Sequence, residues 1–128
     1  MQTAGMFREL GRLRPPTAQP SIVTSISAPL PDADAVVGYL RSGHRLIMAM
    51  DVQPDVVDGS EQILNGSSVV TDGDWLWRED LAYYLHRHHV GLPEEFLQLI
   101  REREYVVPDV DDTTLDQAAA EAEQLLSF

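Results

Sequence analysis

Three histidines, His86, His88 and His89, fall within four residues of one another. On a helix His86 and His89 stand three apart and share a face, a spacing two ligands of one metal ion could use. Helical metal signatures pair such histidines with a carboxylate at fixed spacing, and no H-E-x-x-H is present. Histidines near a helix C-terminus also gain from the helix dipole with no metal involved. Solvated or structural histidine is therefore the simpler reading. Asp109, Asp111, Asp112 and Asp116 resemble half of a calcium loop, but Thr114 stands where glycine is needed and Ala120 where the closing glutamate belongs. An acidic connector accounts for them better. Ser60, Ser67 and Ser68 lack a G-x-S-x-G context, no phosphate-cradling glycine motif occurs, and the carboxylates are too numerous for one pair to stand out for acid–base work. The absence of cysteine excludes disulfides, thiolate metal sites and a cysteine nucleophile. No cofactor is expected.

Residues suited to binding are more conspicuous. Trp75, Trp77, Tyr83, Tyr84 and Phe96 are concentrated in a short stretch. They form a core in the simplest case, and in the alternative part of the set is exposed as an anchor, as Trp and Tyr often are at interfaces. The net charge is −12 and uneven. Residues 1–64 hold seven acids against five arginines, and residues 65–128 hold fourteen against four, a net of −10. Such a field repels phosphates and attracts cationic partners, so nucleic acid is not an expected ligand and a basic protein is. Trp77, Glu94, Glu95, Glu102 and Glu104 are the candidate partner-binding residues.

These side chains need elements to position them, and the expected fold is α+β. A small mixed or antiparallel sheet takes strands near 21–28, 44–52, 68–71 and 74–77. Around it pack helices near 32–42, 79–89 and 93–104 and a C-terminal helix near 114–126. Ser21–Ala28 alternates as a half-buried strand does. Asp32 is an N-cap candidate for a helix with Ala33, Val36, Val37 and Leu40 on one stripe, and Gly43 is its stop. Leu46–Met50 is almost continuously apolar, as in a strand buried on both faces. The connection from the first strand through this helix fits either a crossover or an antiparallel arrangement. Residues 54–66 read as an ordered loop anchored by Val56, Val57, Ile63 and Leu64. Asp72-Gly73 suits a two-residue type I′ turn, pairing Val70 with Trp75 and Ser68 with Trp77. Both tryptophans then lie on one face, and Val69 and Leu76 on the other. Leu81, Tyr84, Leu85 and His88 make a helical stripe that Gly91 ends, and Pro93 opens a second helix with Phe96, Leu97 and Ile100 inward. The last helix presents Leu115, Ala118, Ala119, Ala122, Leu125 and Leu126.

A chain of 128 residues, 44% hydrophobic and 23% charged, suits one folded domain. Residues 1–20 are expected to be a flexible segment, with a short helix around Met6–Leu13 and a connector set by Pro15, Pro16 and Pro20. Residues 21–128 form the single domain. No apolar run approaches the roughly 18 residues of a membrane span. Arg8, Arg12 and Arg14 are not followed by the apolar stretch of a secretory signal. A cytoplasmic location is expected, and the oligomeric state is open.

The run from Gly66 to Trp77, then Asp80-Leu81-Ala82-Tyr83-Tyr84, then Val90-Gly91-Leu92-Pro93-Glu94-Glu95-Phe96, resembles small actinobacterial proteins of unassigned function. It is also similar to segments of immunity-type proteins that neutralise secreted polymorphic toxins. The resemblance covers roughly residues 66–97 and rests on a hairpin-to-helix architecture, so it implies no active-site residue. With the charge and the missing reaction motifs, it implies a non-enzymatic protein-binding domain, an immunity-like inhibitor of a basic partner. The alternatives are a small metal-dependent or hydrolytic enzyme using His86, His88 or His89, and a regulatory or scaffold subunit pairing through the C-terminal helix.

Overall fold

The computed structural model describes residues 1–11, 18–59 and 61–126. It is an α+β fold, as expected. A four-stranded mixed sheet has the order β1-β6-β5-β2, with β1 (Gln2–Ala4), β2 (His44–Ile47), β5 (Val69–Thr71) and β6 (Trp75–Arg78). β1 runs parallel to β6, and the other two pairings are antiparallel. A separate two-stranded ribbon is formed by β3 (Val52–Pro54) and β4 (Gln62–Leu64). Helices α1 (Ala33–Arg41), α2 (Asp80–His88) and α3 (Glu94–Glu102) cover one sheet face, and α4 (Asp112–Leu126) covers the other.

Strand alternation explains this layering. Val70, Trp75 and Trp77 face α1–α3 and join Tyr39, Leu40, Leu81, Leu85, Phe96 and Ile100 in the main core. Val69 and Leu76 face the other way, onto Ala118 and Ala122 of α4. The small alanines let α4 lie close to the sheet. Trp77 is fully buried, its ring 5.3 Å from Phe96 and 6.2 Å from Tyr39, and its indole N–H donates to the Leu40 carbonyl at 3.1 Å. Gly43 is required by this packing as well as by the end of α1. A Cβ there would collide with Val70 Cγ1 and lie 2.6 Å from Trp77 Cζ2.

The expected hairpin is present, but its register is shifted by two residues. Val70 pairs with Trp77 and Thr71 with Leu76, not Val70 with Trp75. A shift of two leaves every side chain on its expected face. The cause is Asp72. Type I′ needs positive φ at both central residues, and of the two only Gly73 has it. The buried Asp72 carboxylate instead accepts the N–H groups of Asp74 and Trp75, each at 2.9 Å, and holds open a longer turn. Its second oxygen accepts the Tyr39 hydroxyl at 2.6 Å and Arg103 Nη1 at 3.1 Å. One carboxylate thus joins the turn, α1 and the end of α3.

Four further expectations are corrected. The strand near 21–28 is a 3-10 turn at Val23–Ser25, with one bridge from Ile26 to Val90. Thr24 and Ser25 hydroxyls donate back to the Ser21 carbonyl, in competition with a ladder. The strand near 44–52 stops at Ile47 on the sheet edge, and Met48 and Met50 beyond it are exposed. The loop at 54–66 carries β4, with Ile63 buried but Leu64 exposed. The N-terminal segment supplies β1 and buries Ala4, Met6 and Phe7, so residues 2–7 belong to the body. Its expected helix is a 3-10 turn at Arg8–Leu10, and the connector around Pro15 and Pro16 lies outside the described residues.

Helix ends differ in smaller ways. α2 ends at His88 with His89 left-handed at φ 57°, ahead of Gly91. Pro93 is the N-cap of α3 and not its first residue. Asp32 makes no cap hydrogen bond, because Arg101 and the Tyr105 hydroxyl hold its carboxylate. These donors keep the Asp32 carboxyl far below its ordinary range.

Asp72→Ala should destabilise the protein by about 2–4 kcal/mol in urea unfolding, since it strands the buried Trp75 N–H, the part-buried Asp74 N–H and part of Arg103. Asp72→Asn keeps the turn acceptor and should lose about half as much. Equal effects would contradict the shared role of the two oxygens.

Candidate functional site

The β3–β4 ribbon forms an arm separate from the four-stranded sheet, and the turn that joins its two strands is fastened to α2 through Asp55. The Asp55 side chain has no exposed surface. One oxygen accepts the N–H groups of Val57 at 2.8 Å and Asp58 at 3.3 Å. The other accepts the Tyr83 hydroxyl at 2.7 Å and meets His88 Nε2 at 2.5 Å. Burial by itself would raise the Asp55 carboxyl, but the donors from His88, Tyr83 and the two amides outweigh it and hold it below the ordinary range. The Tyr84 hydroxyl accepts the Val56 N–H at 3.1 Å and adds a further tie. α2 positions all three side chains because its buried stripe, Leu81, Tyr84 and Leu85, orients Tyr83 and His88 toward the arm.

The histidines divide accordingly. His86 and His89 are exposed, and His88 alone meets a carboxylate cluster. Among the described residues the one group able to converge on a metal ion is Asp55, Asp58 and His88, whose ligand atoms lie within 4.8 Å of one another. His86 and His89, the pair whose spacing two ligands could use, are not part of this group. Asp111 caps α4 by accepting the Thr114 N–H at 2.7 Å, which accounts for that acidic connector structurally.

A second polar site lies on the sheet side of the arm, in a cavity of about 230 Å³ lined in part by Asp51, Ser67, Arg78, Asp80 and Tyr84. Arg78 pairs with Asp80 through Nε and Nη2 at 3.3 and 2.9 Å and donates to the Leu10 carbonyl at 2.6 Å. Asp51 accepts the Ser67 hydroxyl at 2.6 Å, while its Oδ1 is buried with no hydrogen-bond partner. Burial pushes the Asp80 carboxyl up to about 6 despite Arg78, and Asp51 adds to the rise. Another cavity, about 470 Å³ beside the N-terminal segment, has no titratable side chain among the described residues of its lining.

The candidate partner-binding residues separate into two groups. Trp77 is core and reaches no surface, so that expectation is corrected, and Trp75 is likewise buried. Glu94, Glu95, Glu102 and Glu104 are exposed on and just after α3. Sequence reasoning missed the apolar surface that does exist. Met48, Met50, Val52 and Leu64 are 54%, 88%, 56% and 69% exposed, and Val52 stands directly opposite Leu64 in the arm. Their apolar run looks like a buried strand in sequence. The available distinction was the polar and turn-forming chain around them, from Asp51 to Gly66.

No protein-family model, no curated protein and no solved structure matches this chain. Among the described residues no helix is long and apolar enough to cross a membrane.

Asp80 sets a testable pH dependence. Its folded pKa of about 6 lies above the ordinary 3.8, so it stabilises the fold below pH 3.8 and loses that contribution as pH rises through 6. The swing is at most about 3 kcal/mol. Glu9, Asp32 and Asp55 are shifted down and act in a lower window, where acid removes their stabilisation. Urea stability should therefore fall between pH 5 and 7 (about one to two units either side of the midpoint), and Asp80→Asn should flatten that fall. An unchanged slope in the variant would contradict the assignment.

Proposed function

We propose that this protein is a non-enzymatic binding domain that engages a basic protein, and that the arm is its contact surface. The observation that carries the proposal is the exposed apolar strip of Met48, Met50, Val52 and Leu64. Isolated exposed apolar residues need no explanation, but Val52 and Leu64 are paired across the ribbon, and Met48 and Met50 lead directly into it, which marks this segment as an interaction surface. Two of its four members are methionines, whose flexible thioethers adapt to a partner's shape.

The charge around the strip defines the partner. Between Arg45 and Arg78 the chain carries six acids, Asp51, Asp55, Asp58, Glu61, Asp72 and Asp74, and no basic residue. Glu94, Glu95, Glu102 and Glu104 extend the negative surface over α3 and its end. A basic protein is drawn in by this field, and apolar contact with the arm then slows its release. Inhibition of a toxin, as by an immunity protein, is the concrete form of this activity. A cytoplasmic site of action belongs to the same proposal and rests on the cysteine-free sequence.

Purification of the tagged full-length protein from its native cells, with and without Met48→Ser, Met50→Ser and Leu64→Ser combined, tests this. The wild type should retain a stoichiometric basic protein that salt releases. The triple variant should bind that protein at least about tenfold more weakly, with its thermal midpoint little changed because the sites are exposed. Co-expression should suppress any toxicity of the captured protein. Equal retention by the variant, or no basic protein with the wild type, would overturn the proposal.

A further inference from the structure

We propose that Asp55, Asp58 and His88 bind one divalent transition-metal ion, of which zinc is the best fit, and that the ion pins the closing turn of the arm to the last turn of α2. The site rests on residues separate from the apolar strip, so it stands or fails independently of partner binding.

The donor set decides the class of ion. One imidazole nitrogen with carboxylate oxygens suits zinc and its first-row neighbours, whereas calcium and magnesium favour all-oxygen shells. Geometry needs only small adjustment. Ligands about 2.0–2.1 Å from a tetrahedral zinc stand roughly 3.3 Å from each other. His88 Nε2 lies 2.5 Å from Asp55 Oδ2 and 3.9 Å from Asp58 Oδ2, values on either side of that separation. An ion between His88 Nε2 and Asp55 Oδ2 would open the short pair and bring in the Asp58 carboxylate, whose side chain is 43% exposed.

Charge supplies a separate argument. The Asp55 side chain has no exposed surface, and its ion-pair partner among the described residues is His88 and no arginine. A cation bound there would meet a buried carboxylate that no arginine among the described residues pairs with. Support outside the ligands is also built in. The Tyr83 hydroxyl donates to the ligating oxygen of Asp55 at 2.7 Å, and the amides of Val57 and Asp58 hold the other oxygen. Such partners fix a carboxylate's orientation for a metal. Three protein ligands leave a fourth position for water, and the pinned segment is the turn from which both strands of the arm emerge.

Calorimetric titration of untagged, EDTA-treated full-length protein with zinc chloride in a non-coordinating buffer tests the site, with cobalt(II) absorption as a second reading of coordination. One ion per chain is expected. His88→Gln should lower affinity at least about tenfold, as should Asp58→Asn, with the thermal midpoint of each metal-free variant measured beside it to separate a folding loss from a binding loss. His86→Gln combined with His89→Gln should leave affinity unchanged, and Tyr83→Phe should weaken it by roughly tenfold. Absence of saturable one-to-one binding by the wild type would overturn the proposal. So would binding that survives both His88→Gln and Asp58→Asn, or that is lost only with His86 and His89.

Discussion

The Asp72 carboxylate is the interaction on which the rest of the body depends. It sits with no exposed surface at the point where the β5–β6 turn, α1 and the end of α3 meet. A buried carboxylate is tolerable only when its lone pairs are matched, and here two amides, one phenol and one guanidinium match them. Fixing that turn fixes the register of β5 on β6, which places Trp77 beneath α1 and leaves Leu76 for α4. Burial also raises the Tyr39 hydroxyl well above its ordinary range, and the hydrogen bond to Asp72 acts in the same direction. The phenol therefore remains a donor to this carboxylate.

Parts of this were legible in sequence for definite reasons. The helical stripes Val36-Val37-Leu40 and Leu81-Tyr84-Leu85 are long enough for periodicity to fix their inward faces, and both are buried. The two-residue period of Val69–Thr71 and Trp75–Trp77 survived a wrong register because the error was an even number of residues. What failed depended on partners distant in the chain. Nothing local tells Gln2–Ala4 that β6 has a free parallel edge 73 residues away, as the pairing of Gln2 with Trp75 requires. Nor does the run Leu46–Met50 reveal that its strand lies at the edge and stops at Ile47. At the candidate site, His88 was visible as one of three histidines, but its selection depends on Asp55, 33 residues earlier.

The same comparison explains why the apolar surface changed position. Trp75, Trp77 and Phe96 are the large aromatics that interfaces favour, yet they stack on one another inside the sheet–helix layer. Exposed apolar residues are slender instead, among them Met48 and Met50 ahead of the ribbon and Val52 and Leu64 on it. A two-stranded ribbon is marginal by itself. Its order here comes from Asp55, Tyr83, Tyr84 and His88 at its closing turn together with Ile63 and Val57 packed against the core. Polar ties thus carry more of the arm's attachment than they do of the aromatic core.

The central claim is that the segment from Met48 into the arm is exposed apolar surface and that the aromatic cluster is interior. Mild peroxide oxidation of the free protein, followed residue by residue with mass spectrometry while tryptophan emission is recorded, tests it most directly. Met50 and Met48 should oxidise rapidly, at 88% and 54% exposure, while Met6, at 7%, lags far behind. Tryptophan emission should stay blue-shifted and resist acrylamide quenching throughout. Protection of Met48 and Met50 equal to that of Met6, or quenching typical of free indole, would contradict it.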